Sequence, residues 1–222
     1  MIDNPFRNWL STRVNFLTSL YAQLSLTPNH ITLIGLAFAL IASFLCAFHF
    51  DFLAIIFWWL GRLFDGTDGI YARQTKQSSP FGSYLDILCD MTAYSAMIFG
   101  FYFRFPHLPF VWLLILGLYV LCITSALAFG SLEAELKISE KDNRGLRLGA
   151  GLAEGGETGI AYTLFLLFPA WVQPLSLLWV LILMTTVLAR SKIVKNATQK
   201  ERAPEAKLRL SFKSRTKNPN KN

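Results

Sequence analysis

Six stretches of this 222-residue chain are mostly apolar and close to the length that crosses a bilayer as a helix, about 20 residues. They run roughly over 30–50, 52–73, 81–104, 108–132, 156–172 and 174–192. Inside hydrocarbon every backbone N–H and C=O must be satisfied within the segment, so such spans are helices. Charged residues make up only 16% of the chain, against about 25% in a soluble domain. The expected fold is therefore all-α: a polytopic membrane protein with six transmembrane helices within residues 1–192. Residues 4–24 mix Phe6, Trp9, Leu10, Phe16, Leu17 and Leu20 with Arg7 and Arg13, a spacing that suits an N-terminal interfacial amphipathic helix.

Charge is distributed unevenly. Residues 190–222 hold 11 of the 21 Lys/Arg and 2 of the 14 Asp/Glu, so the net charge of +7 belongs to the C-terminal tail. Segment 193–222 is expected to be a basic, disordered cytoplasmic tail near anionic lipid. The basic residues line no folded face interleaved with aromatics, which argues against a nucleic-acid partner. Lys and Arg otherwise gather in the N-terminal segment, the Arg73–Lys76 turn and the 137–147 loop, and are nearly absent from the other connections. Positive charge stays inside, so both termini and the 65–90 region are expected on the cytoplasmic side, in a prokaryotic cytoplasmic membrane. The opening residues lack the pattern of a cleaved secretory signal, and insertion is expected from the spans themselves.

Cys46, Cys89 and Cys122 fall in apolar stretches without CxxC spacing and read as buried hydrophobes. His30, His49 and His107 are scattered near span ends and suggest no metal cluster. Six glycines between Gly145 and Gly159, some at GxxxG spacing (Gly145/Gly149, Gly155/Gly159), suit close helix packing or a flexible connection.

The chemistry is concentrated between Gly61 and Gly100, where four aspartates interrupt an apolar stretch. Asp65 and Asp68 are i, i+3; Asp86 and Asp90 are i, i+4; each pair lies on one helical face. The turn QTKQSS and Pro80 join the two helices as antiparallel neighbours, which can bring the carboxylates together. One such pair reads as helix-end caps in the headgroup region. Two facing pairs would repel unless something positive sits among them, and hard oxygen ligands suit Mg²⁺ or Mn²⁺. Gly69 and Ala72 share the face of Asp65 and leave a groove, Arg73 can pair with a phosphate, and Gly82 opens the next helix opposite. No nucleophilic Ser, Cys or His is placed nearby.

The pattern Asp65-x2-Asp68-Gly69-x2-Ala72-Arg73-x8-Gly82-x3-Asp86-x3-Asp90 resembles the signature of the CDP-alcohol phosphatidyltransferase family at all eight fixed positions. The resemblance extends to the start of the first span, Thr27-Pro28-Asn29-His30-Ile31-Thr32, and to the six-helix plan. It implies displacement of CMP from a CDP-linked lipid, CDP-diacylglycerol in most members, by attack of an alcohol hydroxyl on the β-phosphorus. It also implies two divalent ions, Mg²⁺ or Mn²⁺, on Asp65, Asp68, Asp86 and Asp90, with Asp86 and Asp90 catalytic and Asp90 the candidate proton acceptor. Gly69, Ala72, Arg73, Ser79 and Gly82 would line the diphosphate site, and Pro28, Asn29 and Thr32 would close over it. A homodimer in contact with membrane lipids is implied by the family alone.

The acceptor, a small or lipid alcohol, is not assigned by the signature. Ile87 and Met91 stand where glycerol-phosphate and cardiolipin-type members carry Pro and Lys, and the serine-type pattern is absent from LDILCDMTAYSAM. SSPFGSYLDILCD loosely resembles both inositol-type members and choline/ethanolamine phosphotransferases. Lys137, Lys141, Arg144 and Arg147 could meet an acceptor phosphate or could be solvated positive-inside residues. The alternative class is a cation transporter or channel, which would need polar residues through the depth of several spans.

Overall fold

The computed structural model describes residues 14–135 and 155–216. Among these the chain is wholly helical: α1 Asn15–Gln23, α2 Pro28–Ala47, α3 Asp51–Gln74, α4 Pro80–Arg104, α5 Pro109–Glu135, α6 Gly155–Leu167 and α7 Val172–Thr216, with a 3₁₀ turn at Pro169–Trp171 between the last two. Residues 4–13 of the expected interfacial helix, Lys137, Lys141, Arg144, Arg147 and the glycines from Gly145 to Gly151 lie outside the described residues. Helix α7 passes residue 192, where the hydropathy places the end of the last span, and continues to Thr216.

Starts and stops have local causes. Thr27 caps α2 by accepting from the His30 N–H at 3.3 Å, and His30 Nδ1 accepts from the Thr27 N–H at 3.3 Å, a reciprocal capping box followed by Pro28 in the first turn. Ser79 caps α4 by accepting from the Gly82 N–H at 3.0 Å, again with Pro next. Helices α1, α2 and α3 end alike, with Ser25 (φ 53°), His49 (φ 69°) and Lys76 (φ 57°) in the left-handed region. At the last of these the Gln77 N–H reaches Ala72 O at 2.8 Å and the Lys76 N–H reaches Arg73 O at 3.3 Å, the paired bonds of a Schellman stop.

Helix α2 packs most closely on α3 and then α4, α5 packs on α7, and α6 lies against α3 and α7. The α2–α3 contact depends on glycine. A Cβ on Gly61 would sit 2.9 Å from Gly35 O, and one on Gly35 would sit 3.1 Å from Gly61 O. The backbones therefore touch, which brings the first turns of α2 against the last turns of α3. An aromatic core of Trp58, Phe101, Trp112, Tyr162 and Phe165 fills the middle of the bundle. Its outer surface carries Phe44, Phe52, Phe99, Phe103, Phe110, Leu121 and Leu188, an apolar exterior suited to lipid. Among the described residues, three helical segments are long and apolar enough to cross a membrane: Pro28–Ala47, Pro109–Leu132 and Pro169–Asn196. Helices α3 and α4 have the length, at 24 and 25 residues, and differ in carrying the aspartates and arginines described next.

Candidate active site

The C-terminal turns of α3, the N-terminal turns of α4 and the start of α2 meet at one end of the bundle. Between them lies a cavity of about 150 Å³. Asp68, Gly69, Ala72 and Arg73 line it from α3, Pro28, Asn29 and Thr32 from α2, and Ser79, Gly82 and Asp86 from α4 and its cap. Every residue expected to line the diphosphate site or close over it thus lines this one cavity. Gln77, Ser78 and Ser83 also line it and were not foreseen; the first two precede Ser79 in the connecting turn and Ser83 lies in the first turn of α4, and their polarity was the available signal.

Small residues keep the cavity open. A Cβ on Gly69 would meet Arg73 Nη1 at 3.3 Å, and one on Gly82 would meet Ser79 Oγ at 3.2 Å and Asn29 Oδ1 at 3.4 Å. Asp68 is buried, 5% exposed, and its carboxylate is fixed from both sides. Thr32 Oγ1 donates to Oδ2 at 2.5 Å and the Gly69 N–H donates to Oδ1. One residue earlier, the fully buried Thr67 gives its hydroxyl proton to the α3 backbone at 2.9 Å and accepts from Tyr21 OH at 3.1 Å. That bond ties α1 to α3 beside the cavity, where Tyr21 also meets the Tyr71 ring edge-on at 5.7 Å. Burial pushes the Tyr21 phenol up, so it stays a donor at neutral pH.

The other two aspartates are turned away from the cavity wall, toward a residue the sequence reading passed over. Arg62 Nη1 donates to Asp90 Oδ1 at 2.6 Å and to Tyr94 OH at 3.1 Å, and lies 3.4 Å from Asp65 Oδ2. Its guanidinium is flanked by the rings of Trp58 and Tyr94, at 5.0 and 5.2 Å from their centroids. The signal was present: an arginine three residues before Asp65 lies on the same helical face. Asp65 feels the charges of Asp90, Asp86 and Asp68, with Arg62 opposing them. The four carboxylates therefore form one electrostatic group split between two settings, Asp68 and Asp86 on the cavity and Asp65 and Asp90 on Arg62.

The donor set fits a hard divalent cation, being all carboxylate with no His or Cys in it. A guanidinium drawn in between Asp65 and Asp90 shows that the place demands positive charge. Among the described residues no three acidic, histidine or cysteine side chains already close around a point.

Comparison with known proteins assigns the chain to a family. A family model of CDP-alcohol phosphatidyltransferases matches residues 25–191. The inner membrane protein YnjF of Escherichia coli is 36% identical over 155 residues, covering 66% of this chain and 72% of that protein. Archaetidylinositol phosphate synthase of Pyrococcus horikoshii is 37% identical over 79 residues, 36% of this chain and 42% of the relative. Among solved structures, Mycobacterium tuberculosis phosphatidylinositol phosphate synthase (PgsA1) with CDP-DAG bound has the same fold, with TM-score 0.63 at 20% identity, covering 79% of this chain and 90% of that one. The same protein in complex with manganese and citrate superposes with TM-score 0.63 at 18% identity, covering 79% and 86%. By the extent of the family match and the relatedness to YnjF, this membrane chain belongs to the CDP-alcohol phosphatidyltransferase family.

Proposed function

We propose that this enzyme releases CMP from CDP-diacylglycerol by transferring the phosphatidyl group to an alcohol. The observation that carries the reading is the cavity, which sets two carboxylates, Asp68 and Asp86, against Arg73 between glycines that admit a ligand close to the backbone. The diphosphate would lie along Gly69, Ala72 and Arg73, capped by Ser79, Gly82, Pro28, Asn29 and Thr32. Asp65, Asp68, Asp86 and Asp90 would hold two Mg²⁺ or Mn²⁺ ions, which when bound neutralise the diphosphate and the departing CMP. The acceptor oxygen attacks the β-phosphorus, the bond to the CMP oxygen breaks, and the hydroxyl proton leaves toward Asp90. A carboxylate is a weak base, so Asp90 would act mainly by orienting the hydroxyl as its proton departs. That PgsA1 has been crystallised with CDP-DAG and with manganese supports both assignments.

The same reading takes α2 to α7 as six spans with the cavity end and both termini cytoplasmic, α1 as the end of the interfacial helix, and the protein as a homodimer. Arg73 and Lys76 lie at the cavity end of α3, in keeping with that orientation. A cation conduit is disfavoured, because α5 carries no charged residue from Pro109 to Leu132.

The test is labelled CMP release by purified protein in Mn²⁺ or Mg²⁺ with a panel of acceptors. Inositol and inositol phosphate come first, because the Pyrococcus horikoshii relative and the PgsA1 structures are named for inositol lipids; glycerol 3-phosphate, serine, choline and phosphatidylglycerol follow. Release with one acceptor, abolished by chelation, is expected. Release with none of them, or release unaffected by chelation, would overturn the proposal.

A further inference from the structure

Arg62 is an arginine within a span-length helix, 9% exposed, and it holds two of the four carboxylates. One nitrogen, Nη1, serves Asp65, Asp90 and Tyr94 together. The guanidinium is also flanked by Trp58 and Tyr94, while its Nε is buried without a hydrogen-bond partner. An arginine whose task was structural would be matched to one carboxylate through its fork, as Arg104 is to Asp51 at the opposite end of the same two helices. Arg62 instead occupies the gap between Asp65 and Asp90, and those are the two aspartates missing from the cavity wall.

We infer that Arg62 is a resident counter-cation of the acidic cluster, competing with divalent metal for Asp65 and Asp90 and so setting how tightly the cluster binds it. This rests on the four aspartates being the metal ligands. A fixed positive charge beside the site weakens cation binding by Coulomb repulsion, and it also occupies a carboxylate oxygen that the metal needs. The flanking rings offer the guanidinium a place to stay when Asp90 is given up, since a cation held against aromatic faces keeps part of its stabilisation. Arg62 is thus a positioning residue: it keeps Asp65 and Asp90 together before loading and yields Asp90 on loading.

The test is Mn²⁺ titration of the purified, chelator-treated protein, read by the electron paramagnetic resonance of free Mn²⁺, without substrate. Arg62→Gln is expected to bind Mn²⁺ at least roughly tenfold more tightly than wild type. Arg62→Lys, which keeps the charge but loses the fork, should stay within about threefold of wild type. Equal or weaker binding by Arg62→Gln would overturn the inference. If that variant does not fold, wild type carrying ¹³C-labelled arginine is titrated with Mg²⁺ instead. The guanidinium resonance that Arg62→Lys removes should shift on titration, and no shift would overturn the inference. Mn²⁺ binding absent from wild type, or unchanged in Asp86→Asn, would overturn the metal reading itself.

Discussion

Helices α3 and α4 carry charge at both ends, and the two ends are built differently. At one, Arg104 donates from Nε and Nη2 to the two oxygens of Asp51, at 2.9 and 2.7 Å, with its guanidinium 4.7 Å from the Phe105 ring. One cation meets one anion, and the pair clips the start of α3 to the end of α4. About 20 Å along the helix axis, Arg62 faces Asp65 and Asp90 while Asp68 and Asp86 face a cavity. The same chemistry, arginine and aspartate between the same two helices, is balanced at one end and over-acidic at the other. Balanced charge in an apolar bundle needs nothing more, whereas an excess of carboxylate calls for a cation from outside. That contrast separates the structural end from the functional one.

The sharpest way to break the contrast is to remove one charge from each end. Asp86→Asn should lower CMP release by at least about 10²–10³-fold, the usual cost of losing one preorganised electrostatic contact to the transition state. Its thermal unfolding midpoint should stay within about 2 °C of wild type, because a cluster rich in negative charge is relieved by losing one. Asp51→Ala should do the reverse, leaving turnover within about threefold and costing about 1–3 kcal/mol of stability in detergent, since Arg104 then loses its partner in a partly buried place. If Asp51→Ala abolished turnover while stability held, the division between the ends would be wrong.

A smaller effect is expected where the helices touch. Gly61→Ala places a methyl 2.9 Å from Gly35 O, so α2 and α3 must part, at about 1–3 kcal/mol. Thr32 then shifts from Asp68, and KM for the CDP-lipid should rise more than kcat falls. Unchanged kinetics in a destabilised variant would show that the cavity does not depend on this approach. Least affected should be Lys76→Gly, which relieves a left-handed residue at the end of α3. It should raise stability by about 1 kcal/mol and leave CMP release within about twofold.

Much of this was readable in one dimension because it is local. Thr27-Pro28 and Ser79-Pro80 mark helix starts by their chemistry, and α3, α4 and α5 begin within a residue or two of where hydropathy places them. The spacings of the aspartates put each pair on one face without any structure. Helix ends were harder to read, since Ser25, His49 and Lys76 take the left-handed position that glycine would have announced. His30 read as a scattered histidine because its role is to close a capping box with Thr27. The bonds from Tyr21 to Thr67 and from Thr32 to Asp68 join residues 46 and 36 positions apart, and no periodicity encodes them. Arg62 was overlooked in favour of Arg73, which stands inside the signature, although both lie beside acidic residues. The split of the carboxylates into two settings follows from Arg62 and from side-chain direction, so spacing alone could not reveal it.

The most direct measurement is anomalous scattering at the manganese edge from crystals of the protein grown with Mn²⁺. Manganese peaks between α3 and α4, within coordination distance of Asp65, Asp68, Asp86 and Asp90, are the result expected. Peaks elsewhere, or carboxylates still held by Arg62 with no manganese among them at saturating concentration, would contradict the account.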